Sequence, residues 1–217
     1  MRANRMLRLV LLCGAVSPVL LIVGLLWDGA TRDGYDQVRH GVSQLTSGDG
    51  GVVARLLFVS CGALLLAAVL IGSRSPRSAL RWQRRLLGLV AVGLVIAGLF
   101  PTDPALGYPP GARDAVSVAG ALHQAGGTTL FAGVVAAAVV AGRDARRHGR
   151  SRWAAACLLT AWAVAVLAVT AGVVFRAVQR GVIGSGPAGL LELASMTCAL
   201  CWVTAAVLRD RPAPGTP

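Results

Sequence analysis

Six apolar runs, each near the length that crosses a bilayer, decide what this chain can fold into. They cover residues 7–27, 52–72, 86–100, 116–141, 153–175 and 187–208. A helix needs about 20 mostly apolar residues to span the hydrocarbon core. Inside lipid the backbone must satisfy its own hydrogen bonds, so runs of this kind fold as helices. The expected class is therefore all-α: a polytopic membrane protein, a six-transmembrane-helix bundle, forming a single integral membrane domain over residues 1–217. Composition supports this, with 55% hydrophobic and only 14% charged residues, far too little charge for a soluble domain. Aromatic residues are 5% of the chain. The apolar mass is mostly Ala, Val, Leu and Gly, which let helices approach closely.

Arg2 and Arg5 precede the first run and Arg8 stands at its start, in the manner of a signal peptide. That run is too long for one and no A-x-A site follows, so it reads as a retained anchor helix. Pro187 opens the last run at a first-turn position, where its missing N–H is harmless.

Every basic residue is arginine. With the high Ala and Gly content, this accompanies GC-rich bacterial genomes. The net charge of +12 raises the question of nucleic acid, but the arginines sit in short clusters between apolar runs, and no basic domain or aromatic platform exists. No nucleic-acid partner is expected. The arginines instead set orientation. The N-terminus, residues 73–85, residues 142–152 and the tail hold 15 arginines against Asp144 and Asp210. The connections at the other end hold six arginines against six aspartates. The positive-inside rule places the first set in the cytoplasm, with both termini inside a bacterial cytoplasmic membrane.

Polar groups gather at the opposite, outward end. Glu192 lies about five residues into the sixth run, and His123 and Gln124 about seven into the fourth, roughly 8–10 Å deep at 1.5 Å per residue. Asp28 ends the first run, Arg55 enters the second, Asp103 follows the third, and Arg176, Gln179 and Arg180 leave the fifth. The inner half reads as apolar. Buried ionisable groups are costly and mark function by default, so this pattern predicts a pocket opening outward. The competing reading is structural: Arg55 and Glu192 neutralise each other, as buried charges must, and the rest are solvated helix ends.

In the first outer connection Tyr35, Val38, Val42 and Leu45 recur at helical spacing, with Asp36, His40 and Gln44 on another face. This predicts a short amphipathic helix at the interface, ended by Ser47-Gly48-Asp49-Gly50-Gly51. Gly133, Ala137 and Ala141 form a small-residue stripe for helix packing. Cys13, Cys61, Cys157, Cys198 and Cys201 all fall in apolar runs, so no disulfide framework is expected, and Cys198–Cys201 reads as two small apolar side chains. Asp36, His40 and His123 have zinc-ligand chemistry but no paired spacing. No metal or cofactor is expected.

Several segments together carry a family resemblance. Phe100-Pro101-Thr102-Asp103-Pro104 closes the third run, Gly120-Ala121-Leu122-His123 opens the fourth, and residues 35–45 lead through a Gly-rich turn to the second. Over most of its length the chain resembles the bacterial membrane proteins grouped as domain-of-unknown-function family 998. The resemblance implies a six-helix membrane bundle and no established chemistry. Asp103, His123 and Ser43-Gln44-Leu45 match its polar signature, although members often carry an acidic residue where Gln44 stands. Glu192, Arg176 and Arg180 lie outside that signature.

Three functions are compatible with the pattern. The first is a binder of a lipid or other amphipathic small molecule, with Arg55, Arg176 and Arg180 facing an anionic head group and Gln124, Asp28, Asp36, His40 and Gln44 completing the polar ring. The second is a membrane-embedded enzyme on a prenyl or other lipophilic substrate. In it Glu192 serves as acid for a cyclisation and His123 or Asp103 accepts a proton. The third is a transporter subunit, for which inverted repeats and a continuous polar path are missing. Catalysis requires Glu192, His123 and Asp103 to converge. The sequence leaves oligomeric state open.

Overall fold

The computed structural model describes residues 2–71 and 78–209. Met1, the 72–77 part of the first arginine-rich loop and the tail from residue 210 lie outside the described residues. Among the described residues six α-helices make up the fold: α1 Arg2–Thr31, α2 Gly51–Ile71, α3 Ser78–Leu99, α4 Val118–Arg147, α5 Ser151–Gln179 and α6 Ala188–Arg209. All six are long and apolar enough to cross a membrane, so the protein is an all-α, multi-pass membrane bundle. Several helices outrun their apolar cores. α4 has 30 residues and α5 has 29, about 45 Å of helix, so their ends reach into the polar interface.

Each helix packs on its sequence neighbours, and α6 returns to α1, closing a ring. The α3–α4 contact is the most extensive. Its close approach depends on Gly93 and Gly126. A Cβ on Gly93 would stand 2.7 Å from the Gly126 carbonyl oxygen, and one on Gly126 would stand 2.8 Å from that of Gly93. Leu65, Val90, Leu94, Val134 and Leu200 are fully enclosed between the helices. The expected stripe of Gly133, Ala137 and Ala141 is buried in this core, with Gly133 set against Val90. α1 carries Pro18 in mid-helix. Proline cannot donate to the Gly14 carbonyl four residues back, and the Ser17 hydroxyl donates to it instead, at 3.2 Å.

The ring has two unlike ends. The cap end holds the α1–α2, α3–α4 and α5–α6 connections. The arginine end holds the α4–α5 connection, the starts of α1 and α3 and the ends of α2 and α6. At the cap end the structure corrects one expectation. Residues 34–47 do not form an amphipathic helix lying on the membrane surface. They fold as turns and a single 3-10 helix, Val42–Thr46, tucked onto the bundle, with Val42 and Leu45 buried and only Val38 of the apolar set well exposed. The cause is polar: side chains and backbone of neighbouring elements tie this segment down.

Candidate functional site

Those ties begin at the end of α1. Asp28 and Arg32 form an ion pair at 2.7 Å, and Arg32 also donates to the Gly50 carbonyl at 2.7 Å, closing the base of the connection. Asp36 turns the chain by accepting from the Val38 N–H at 2.8 Å. Its own N–H donates to Nδ1 of His40 at 3.0 Å. That assigns the proton to Nε2, which donates to the Leu106 carbonyl at 3.3 Å. The Tyr35 hydroxyl donates to the His40 carbonyl. The rings of Tyr35 and His40 each lie 5.3 Å from the ring of Tyr108. Burial raises the Tyr35 and Tyr108 hydroxyls above the ordinary tyrosine range, with the Glu192 carboxylate adding to the effect at Tyr35.

Gln44 fastens the connection to its neighbour. Its Oε1 accepts from the Gly41 N–H at 3.0 Å, and its Nε2 donates to the Ala105 carbonyl at 2.6 Å. Thr46 does the same by accepting from the Thr102 N–H at 3.0 Å. α6 holds the loop from beneath. The Leu190 N–H donates to the Val38 carbonyl at 3.2 Å, and Glu192 Oε1 accepts from the Ser43 N–H at 3.2 Å.

Arg55, Asp103 and His123 gather where α3 ends and α4 begins, and the other candidates stand apart from them. Arg55 donates through Nε and Nη2 to the carbonyls of Gly98 and Leu99, at 3.2 and 3.0 Å, capping the open carbonyls at the end of α3. It makes no ion pair with Glu192, so the structural alternative of mutual neutralisation does not occur; each side chain bonds backbone groups instead. Asp103 accepts from the N–H and hydroxyl of Ser117, at 3.1 and 2.5 Å. The Ser117 oxygen in turn accepts from the Gly120 N–H at the start of α4. His123, buried on α4, donates from Nδ1 to the Phe100 carbonyl at 2.8 Å. Among the described residues no hydrogen bond or ion pair joins any two of Glu192, His123 and Asp103. Nor do any three His, Cys, Asp or Glu side chains gather closely enough to share a metal ion. His40 and His123 bond different carbonyls of the α3–α4 connection, those of Leu106 and Phe100. Gln124, Arg176 and Arg180 are exposed, and Arg176 donates to Gln179 at 2.9 Å.

A cavity of about 160 Å³ lies at the other end, where α3 and α5 begin and α4 and α6 finish. The sequence reading missed its polar lining. The signal was present: Asp144 is the one acidic residue in an arginine-rich connection, with Trp153 a few residues on.

The motifs that form these ties belong together. The family model described as "Protein of unknown function (DUF998)" matches residues 15–209. The chain belongs to the DUF998 family. No curated protein and no solved structure matches it. The DUF998 match takes in every tie at the cap end and the whole of the cavity lining.

Proposed function

We propose that the chain is a non-catalytic membrane protein that holds a lipid or other amphipathic molecule in the leaflet at its cap end. The observation that carries this reading is Gln124. It is exposed on α4 inside a spanning helix, and its side-chain amide has no hydrogen-bond partner among the described residues. An amide facing hydrocarbon without a partner is costly, and a lipid head group supplies one. Gly142 of α4 packs on Cys157 and Leu158 of α5. About five turns from that contact, Gln124 stands level with the Phe175–Arg176 region of the antiparallel helix. The exposed guanidinium groups of Arg176 and Arg180 suit an anionic head, and the exposed Val169 and Val173 suit its chain. The catalytic alternative has less support, because Glu192, His123 and Asp103 are each committed to a separate structural bond. The arginine distribution supports the cap end facing outward across a bacterial cytoplasmic membrane.

The test is lipid identification by mass spectrometry on the full chain purified in mild detergent. Wild type is compared with Gln124→Leu and with the double variant Arg176→Gln/Arg180→Gln. One amphipathic species retained by wild type and depleted about tenfold in both variants is the expected result. The same bulk lipid in all three samples rejects the reading.

A further inference from the structure

The cavity at the arginine end is lined by Gln83, Ala141, Asp144, Arg150, Trp153 and Arg209, among others. Its charges are not balanced. Asp144, whose side chain is only 8% exposed, is held by Arg150 Nη2 at 2.8 Å and lies 3.5 Å from Nδ1 of His148. Its one negative charge is thus already shared. Nε of Arg150 is buried and has no hydrogen-bond partner, a costly state for a charged donor. Arg209 has no carboxylate partner among the described residues; its guanidinium lies 4.6 Å from the ring centroid of Trp153. Trp153 is itself fixed, stacked on Trp202 at 6.5 Å and 9°, so Arg209 is held at the rim by a rigid ring. Because Arg209 covers that aromatic face, the cavity is ill suited to an organic cation. Arg150 stands at the N-cap of α5 and makes no side-chain cap bond, and the positive end of the helix dipole adds to the field.

We propose that this cavity binds a phosphate-bearing anion, with the guanidinium groups of Arg209 and Arg150 as donors. Planar guanidinium groups match tetrahedral phosphate oxygens, and the volume admits one such group. The site lies among the ends of spanning helices, which reach the head-group region of a bilayer, so the phosphate can belong to a lipid of that leaflet or to a free anion. This site is separate from the cap-end reading and shares no residue with it.

The test uses the full chain in nanodiscs with two arms. In the lipid arm the discs are phosphatidylcholine with a minor share of phosphatidylglycerol, and native mass spectrometry reads which lipid stays bound. In the phosphate arm the discs are pure phosphatidylcholine, and tryptophan emission is followed as inorganic phosphate is added. Arg209→Gln removes one donor. The pair Arg150→Gln/Asp144→Asn removes the other without stranding a buried carboxylate. Arg146→Gln, exposed and outside the cavity lining, controls for general charge. Enrichment of phosphatidylglycerol that falls about tenfold in the two cavity variants and persists in Arg146→Gln supports the site and names a head group as its occupant. A phosphate-dependent emission change lost in the same variants supports it with a free anion. No response in either arm, or responses unchanged by the cavity variants, overturns the proposal.

Discussion

His40 is neutral in the folded cap for a geometric reason. Its Nδ1 already accepts the Asp36 N–H, so a second ring proton has to break that bond. Burial holds the imidazole below its ordinary value, Arg39 adds to the effect, and the Leu106 carbonyl and Asp36 pull the other way. As pH falls through about 6.5 the unfolded chain takes up a proton that the folded cap refuses. The stability from this group is therefore present above that pH and lost below it. The thermal midpoint of the purified protein should drop between about pH 7.5 and 5.5. His40→Asn should flatten that slope; an unchanged slope would refute the assignment. Asp103 and Ser117 make a second residue-scale prediction. Ser117→Ala removes the α4 cap and should cost about 1 kcal/mol, read as a lower thermal midpoint with bound lipid unchanged. The sequence singled out Asp103 and His123 but gave no sign of the bonds they make. A motif shows which polar residues matter, whereas the carbonyls they bond, such as that of Phe100, carry no sequence label.

Helices were legible because lipid imposes one simple demand, and the six apolar runs met it. Their ends were not. α3 starts at Ser78, eight residues before its apolar run, since a membrane helix continues into the interface wherever its backbone still gains bonds. The amphipathic reading of residues 35–45 failed for a related reason: periodicity describes a segment alone, and here Gln44 and Glu192 bind it across the fold. The α3–α4 seam tests how closely the elements are fitted. A Cβ at Gly126 would meet the backbone of Gly93 and Ala97 at 2.8 Å, and backbone cannot yield as a side chain does. Gly126→Val should lower stability by at least about 1–3 kcal/mol. Gly127→Ala, where nothing lies within 4 Å, should be neutral or stabilising by up to about 1 kcal/mol. Equal midpoints for the two variants would mean the seam is not close-packed.

For the whole molecule, the two ends of the ring solve different problems. The cap end folds its loops inward and spends most of its polar side chains on backbone partners. The arginine end leaves positive charge over. That excess is an orientation signal, whereas the number of crossings is none, because six crossings put both termini on one side whichever way the bundle inserts. Positive-inside insertion requires the arginine end to face the cytoplasm. A green fluorescent protein fused to either terminus should then fluoresce, since the reporter fails to mature after export in an unfolded state, while an alkaline phosphatase inserted after Asp49 in the α1–α2 connection should be active. The opposite pair of signals would invert the molecule. It would place the cap-end arginines Arg176 and Arg180 against the inner leaflet and the phosphate-binding cavity against the outer one, so the same two fusions decide which leaflet each proposed ligand must come from.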